Sequence, residues 1–226
     1  MSSINFYEKL KKDKSPYKRD KNYKNHMIEP CCHLLCIGPT GSGKTNSLIN
    51  FIYLKNNSFD RIIVFTGSGT ENEPLYKLLK DKIPETQFFS DVNELPDVKE
   101  FEDDGSESLV VIDDFINMSK KELKKICDLL VSGRKKGISC FLMAQNFTSI
   151  PKIISRNCSY LLLYKMNDNY TIKHILKNFN KFDVPSDKFL ESYKKATNKL
   201  LDFFMIDMKN KDSALRHNWN DKLSII

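Results

Sequence analysis

The sequence predicts an α/β protein in which a mostly parallel central sheet is covered by helices on both faces. Three features lead there. Short, continuously apolar runs alternate with amphipathic helical segments, the pattern left by strands buried on both sides. A glycine-rich loop, GPTGSGKT at 38–45, joins the first apolar run to the first helix. A later run, LVVIDDF at 109–115, ends in two adjacent aspartates, Asp113 and Asp114, whose mutual repulsion requires a reason.

The elements follow in order. Residues 1–30 lack periodicity and read as a basic arm, with eight Lys/Arg against four Asp/Glu. CCHLLCIG (31–38) is a buried strand, and TNSLINFIYLK (45–55) is a helix with Leu48, Ile49, Ile52 and Tyr53 on one face. RIIVFTG (61–67) is the second strand, PLYKLLKDKI (74–83) a helix and TQFFS (86–90) a short strand; DVKEFEDDGSES (97–108) is a solvated acidic loop. After LVVIDDF comes an amphipathic helix with Leu123, Ile126, Cys127 and Leu130 inward, Ser119 as a candidate N-cap and Gly133 or Gly137 as its stop. ISCFLMAQ (138–145) and SYLLLYKM (159–166) are two further strands. The rest divides into helices at 169–180 and 186–198 and a late strand, LLDFFMI (200–206). The organisation is therefore an arm (1–30), one core domain (31–166) and an extension packed on it (167–226).

Bulk properties narrow the function. No apolar run approaches the roughly 20 residues of a membrane span, and the lysine-rich start carries no apolar signal-peptide core, so the expected setting is intracellular. Six cysteines without a C-x-x-C pair read as buried thiols rather than zinc ligands or disulfides. The net charge of +7 is unevenly placed: residues 119–136 carry seven bases against two acids, whereas 70–108 carry twelve acids against four bases. Such a balance permits a polyanionic partner, as does a merely lysine-rich surface.

GPTGSGKT fits G-x-x-x-x-G-K-[ST] at each fixed position, in the context that gives the pattern meaning: a buried strand before it and a helix after it. The loop of Gly38, Pro39, Thr40, Gly41, Ser42 and Gly43 would wrap a phosphate with its backbone N–H groups, Pro39 lending only its shape, and the helix start directs positive charge at it. Lys44 would reach the β- and γ-phosphates of ATP, and Thr45 would ligate Mg²⁺. A phosphate loop needs a carboxylate on a nearby strand for the metal, which is Asp113. Asp114, one position on, suits a general base for an attacking water; the competing role is an N-cap of the next helix. Gln145, at the tip of an apolar strand, suits a γ-phosphate sensor.

A further strand, RIIVFTG, stands between the two motifs in sequence, and a second acid follows the first. Both are features of the additional-strand, catalytic-acid (RecA-like) class of P-loop NTPases, a three-layer αβα sandwich. The series IGPTGSGKT, VVIDDF, GRKKGISCFLMAQ and IPKIISRN resembles the FtsK–HerA superfamily of ring-forming DNA-translocating ATPases over residues 31–166, and is most similar to the genome-packaging ATPases of poxviruses, giant viruses and virophages. The resemblance implies ATP hydrolysis with Mg²⁺ at Thr45 and Asp113, Asp114 as base and Gln145 as sensor. It also implies a homo-oligomeric ring, pentameric or hexameric, with Arg134 or else Arg156 reaching into the neighbour's site. Double-stranded DNA would be gripped without sequence readout and pumped into a preformed capsid, with capsid proteins as further partners, in the host cytoplasm or a viral factory, or in the virion. Cellular members often carry Glu where this chain has Asp114. The alternatives are a replication helicase or DNA-mobilising pump of the same superfamily, a nucleotide kinase, or a GTPase. NKFD (180–183) matches a guanine signature but follows a helical pattern, TIKHILKNF, where such a signature follows a strand.

Overall fold

A computed structural model describes residues 16–55, 58–67, 69–113, 118–180 and 182–223. Among the described residues nine strands lie in one sheet: β1 (His33–Ile37), β2 (Arg61–Phe65), β3 (Gln87–Phe89), β4 (Ser108–Asp113), β5 (Ile138–Ala144), β6 (Tyr160–Leu163), β7 (Phe204–Asp207), β8 (Leu215–His217) and β9 (Asp221–Lys222). Their order is β3-β2-β4-β5-β1-β6-β7-β8-β9. The first six pair in parallel, and β7, β8 and β9 continue the sheet antiparallel from β6.

Because side chains alternate along a strand, each strand feeds two cores. From β1, Leu35 and Ile37 join the cluster under α4 (Lys120–Ser132), α5 (Lys152–Asn157), α6 (Asn169–Phe179) and α7 (Ser186–Ala196). Leu34 and Cys36 join the opposite cluster, under α2 (Lys44–Leu54) and α3 (Pro74–Lys82). The result is the expected αβα sandwich with a mostly parallel sheet. A large apolar residue deleted from either core costs about 2–5 kcal/mol.

Several expectations are refined. The inward face of α2 is Ser47, Leu48, Phe51 and Ile52, rotated from the expected one, and Tyr53 is 77% exposed. Helix α4 starts at Lys120 with a capping box of Ser119 and Glu122, ends at Gly133, and reaches β5 through a 3₁₀ turn closed by Gly137 at φ 70°. Within the segment expected to be an arm, residues 16–30 pack on the core: α1 (Tyr23–His26) buries His26, and Ile28 is buried beside it. Residues 1–15 lie outside the described set. The C-terminal segment completes the sheet rather than lying beside it, and β8 and β9 were not expected. Residues 200–202 form a turn, so β7 starts later than predicted. None of the helices among the described residues is long and apolar enough to cross a membrane.

Candidate active site

Parallel strands bring their carboxyl ends to one edge of the sheet, and the loops that leave them converge there. At this edge β1 runs into Gly38, β4 ends at Asp113, β5 leads to Gln145, and β2 leads to Thr66. A cleft of ≈ 650 Å³ lies over them, lined by Lys44, Thr45, Thr66, Asp113 and Gln145, among others.

The phosphate loop is shaped by what its glycines permit. A Cβ on Gly38 would stand 2.6 Å from that of Tyr164, so only glycine lets the loop pass the end of β6. Gly43 caps α2 with φ 109°, a conformation side chains rarely allow, and no side chain caps the helix. The first-turn N–H groups of α2 thus keep their donor capacity for an anion. Lys44 Nζ donates to the carbonyls of Gly38 (2.8 Å) and Pro39 (3.0 Å), folding the loop over its own lysine. Tyr164 braces the other side: its hydroxyl donates to Gly43 O (2.9 Å) and bonds to Ser47 Oγ.

Two side chains that the sequence reading passed over hold the site. Tyr164 is one. The other is Tyr76, fully buried on α3, whose hydroxyl donates to Asp113 Oδ2 at 2.6 Å. This bond orients the Asp113 carboxylate at the end of β4, where it lines the cleft beside Thr45. Burial, with the Asp113 carboxylate next in importance, pushes the Tyr76 phenol far above its ordinary pKa, so it stays a donor. No sequence signal beyond an aromatic on an amphipathic helix marked either tyrosine. Gln145 reaches the loop: Thr40 Oγ1 donates to its Oε1 at 3.1 Å.

Asp114 lies outside the described residues. Its competing role as a helix cap is nonetheless removed, because Ser119 accepts the Glu122 N–H and caps α4. The arginines are not brought to the cleft. Arg134 precedes β5, whose seven residues at about 3.3 Å each put roughly 20 Å between it and Gln145. There it is part-buried, with Nη2 donating to Asn157 O (2.5 Å) and Ser159 Oγ (3.3 Å). Arg156 is exposed in the last turn of α5.

A lysine-bearing loop at a helix start and an oxygen pair suited to a hard cation make a nucleoside-triphosphate site. Its class is set by the sheet order: β5 separates the loop strand β1 from the acid strand β4, as in the RecA-like P-loop NTPases. The strand interposed in space is β5, not the RIIVFTG strand that stands between the motifs in sequence; β2 lies on the far side of β4. Residues 34–200 match the zonular occludens toxin (Zot) family, and the chain belongs to this family of P-loop ATPases. No curated protein matches the chain in sequence.

Among solved structures, the DNA-packaging ATPase B204 from Sulfolobus Turreted Icosahedral Virus superposes with a TM-score of 0.58 at 18% identity, covering 84% of this chain and 98% of that one. The genome-packaging NTPase B204 of Sulfolobus turreted icosahedral virus 2, in complex with AMPPCP, gives 0.58 at 13% identity, with 85% and 98% covered. The pCW3 conjugation coupling protein TcpA, with ATPγS, gives 0.56 at 16%, with 86% of this chain and 62% of that one. These neighbours are of the FtsK–HerA type that the motifs predicted.

Proposed function

We propose that this chain is an ATP-hydrolysing DNA translocase that packages double-stranded DNA into a preformed capsid. The observation that carries the reading is the meeting of Lys44, Thr45, Asp113 and Gln145 in one cleft, with β5 between loop and acid. The fold is shared with proteins named as DNA-packaging and conjugation-coupling ATPases, which supports nucleic-acid transport as the work done.

Lys44 and the α2 start hold the phosphates. Thr45 and Asp113, hard oxygen ligands of which Asp113 is oriented by Tyr76, would hold Mg²⁺, which neutralises charge on the phosphates when bound. Among the described residues no cluster of three or more His, Cys, Asp or Glu could hold a metal alone, which fits a cation that arrives with its nucleotide. Asp114 takes the proton of the attacking water. Gln145, whose Oε1 accepts from Thr40, lines the same cleft and senses the γ-phosphate. In a homo-oligomeric ring an arginine from the neighbour completes each site. Arg156 is available as it stands, whereas Arg134 must first give up the Asn157 carbonyl.

The test is the ATPase rate with and without long duplex DNA. Stimulation by DNA of any sequence, weakening with salt, is expected; a flat response overturns translocation while leaving the nucleotide site standing.

A further inference from the structure

Building on the nucleotide site, we propose that the turn at 198–202 forms the seat for the purine nucleoside, with Leu200 and Leu201 as its apolar face. Asp113 on β4 and Gln145 on β5 place the γ-phosphate on one flank of β1. With the phosphates lying across the start of α2, the nucleoside has to leave on the other flank, toward β6 and β7. A second cleft of ≈ 370 Å³ opens there at the same edge, lined by Ser42, Tyr164, Asn167, Asn198, Leu200 and Asp202, among others. Thr40, Gly41 and Leu201 line both clefts, so the two are continuous along the loop. The space is at the lower end of ligand pockets, about 300–1,000 Å³.

The turn is built in a way that structure alone does not require. Leu201 adopts φ 70°, a left-handed conformation that costs a branched residue about 1–2 kcal/mol. It is held there: Asn218 Nδ2 donates to Asp202 Oδ1 (3.0 Å), Phe203 N donates to Asn218 Oδ1 (3.1 Å), and His217 Nε2 lies 2.9 Å from Asp202 Oδ2. The strained turn lays Leu201 against the loop, where a Cβ on Gly43 would meet its Cδ2 at 2.7 Å. Beside it Leu200 is 81% exposed and Leu201 45% exposed. Strain retained by surrounding bonds, with two leucines left facing water at the lip of a phosphate site, marks a surface shaped for a ligand. A planar base suits it. Since Asp202 is engaged by Asn218 and His217, the base is held by apolar contact rather than by a carboxylate reading its edge.

The experiment compares ATP with inorganic tripolyphosphate by calorimetry in the presence of Mg²⁺, on the full chain and on Leu201→Gly and Leu200→Ser. Glycine accepts φ 70°, and position 200 is exposed, so both variants fold. We expect ATP affinity to fall by about tenfold, the scale of one buried side chain's contact, with tripolyphosphate affinity unchanged. ATP affinity unchanged in both variants overturns the proposal. So does an equal fall for both ligands, because the leucines then only brace the loop. Unaltered protein that binds neither ligand overturns the nucleotide site itself, a result distinct from either.

Discussion

Replacing Tyr76 by phenylalanine removes one oxygen from a fully buried ring and nothing else. The lost bond runs from a phenol to a carboxylate at 2.6 Å, and bonds to charged groups contribute about 1.5–3 kcal/mol. Asp113 is only part-buried, so water recovers some of this, and the melting temperature should fall by the equivalent of about 1–2 kcal/mol. The more telling loss is orientation. Without the phenol, the Asp113 carboxylate loses the bond that orients it. Outer partners of metal ligands commonly alter metal affinity by about 10–100-fold, and about tenfold is expected here. The assay is ATPase rate at saturating ATP against free Mg²⁺, with the thermal melt in metal-free buffer as its control. An upward shift of the magnesium midpoint with most of the maximal rate regained at high Mg²⁺ is expected. A lower melting temperature with an unmoved midpoint refutes the positioning role and leaves Tyr76 a packing residue.

Lys44→Ala should abolish ATP binding, whereas Asp114→Asn should bind ATP and not turn it over; direct binding and phosphate release read the two. In Gly43→Ala the new Cβ meets Leu201 Cδ2 at 2.7 Å at a φ of 109°, so the melting temperature should fall by the equivalent of about 1–2 kcal/mol and ATP affinity with it. Arg134→Ala, which strips the donor from Asn157 O and Ser159 Oγ, should lower the melting temperature by the equivalent of about 1–3 kcal/mol. Arg156→Ala should leave the melting temperature unchanged, lower turnover, and regain some of it when mixed with Asp114→Asn subunits. Acid should destabilise the fold through His33, whose pKa burial, then the nearby Arg134, pushes down to about 3. The unfolded chain takes up this proton first, so the stabilisation is whole above about pH 6.5 and fades toward 3, by about 2 kcal/mol between pH 7 and 5. Buried His26, also lowered, adds in the same direction. His33→Gln should flatten the denaturant-midpoint profile over that window.

What the sequence made legible is what periodicity and local spacing encode. The five long strands are continuous apolar runs, and the loop, Asp113 and Gln145 sit at their ends, so each could be found without knowing which strand neighbours which. Lateral order is not written in such runs. RIIVFTG stands between the motifs along the chain, and only hydrogen-bond pairing shows that β5 separates them in the sheet. Tyr76 and Tyr164 act on Asp113 and Gly43 across 37 and 121 positions of chain, a separation that leaves no local pattern. The bonds of Arg134 to Asn157 and Ser159 run to residues more than 20 positions along the chain, which no local pattern marks. Residues 16–30 read as an arm because a polar stretch with His26 and Asp20 packs only once Lys55 and Glu107 are beside it.

That last cluster explains why the two ends of one strand have different fates. Glu107 stands just before β4 and Asp113 ends it. At the amino edge Glu107 is 8% exposed and meets Lys55 Nζ at 3.2 Å, and Lys55 in turn lies 3.6 Å from Asp20, which bonds His26. Arg216, fully buried, meets Asp207 at 3.1 Å near the same edge. Such pairs add little net stability, but removing one partner strands a buried charge at a cost of about 3–5 kcal/mol, so they fix how α2, β4, β7 and the N-terminal segment seat. Asp113 belongs to the same strand but opens on a cleft, and a neutral phenol donates to it. A lysine in place of Tyr76 would neutralise Asp113 as Lys55 neutralises Glu107, and the carboxylate would then have no charge to offer a cation. The neutral donor orders the ligand without cancelling it, which is what a metal-binding acid needs and a structural one does not.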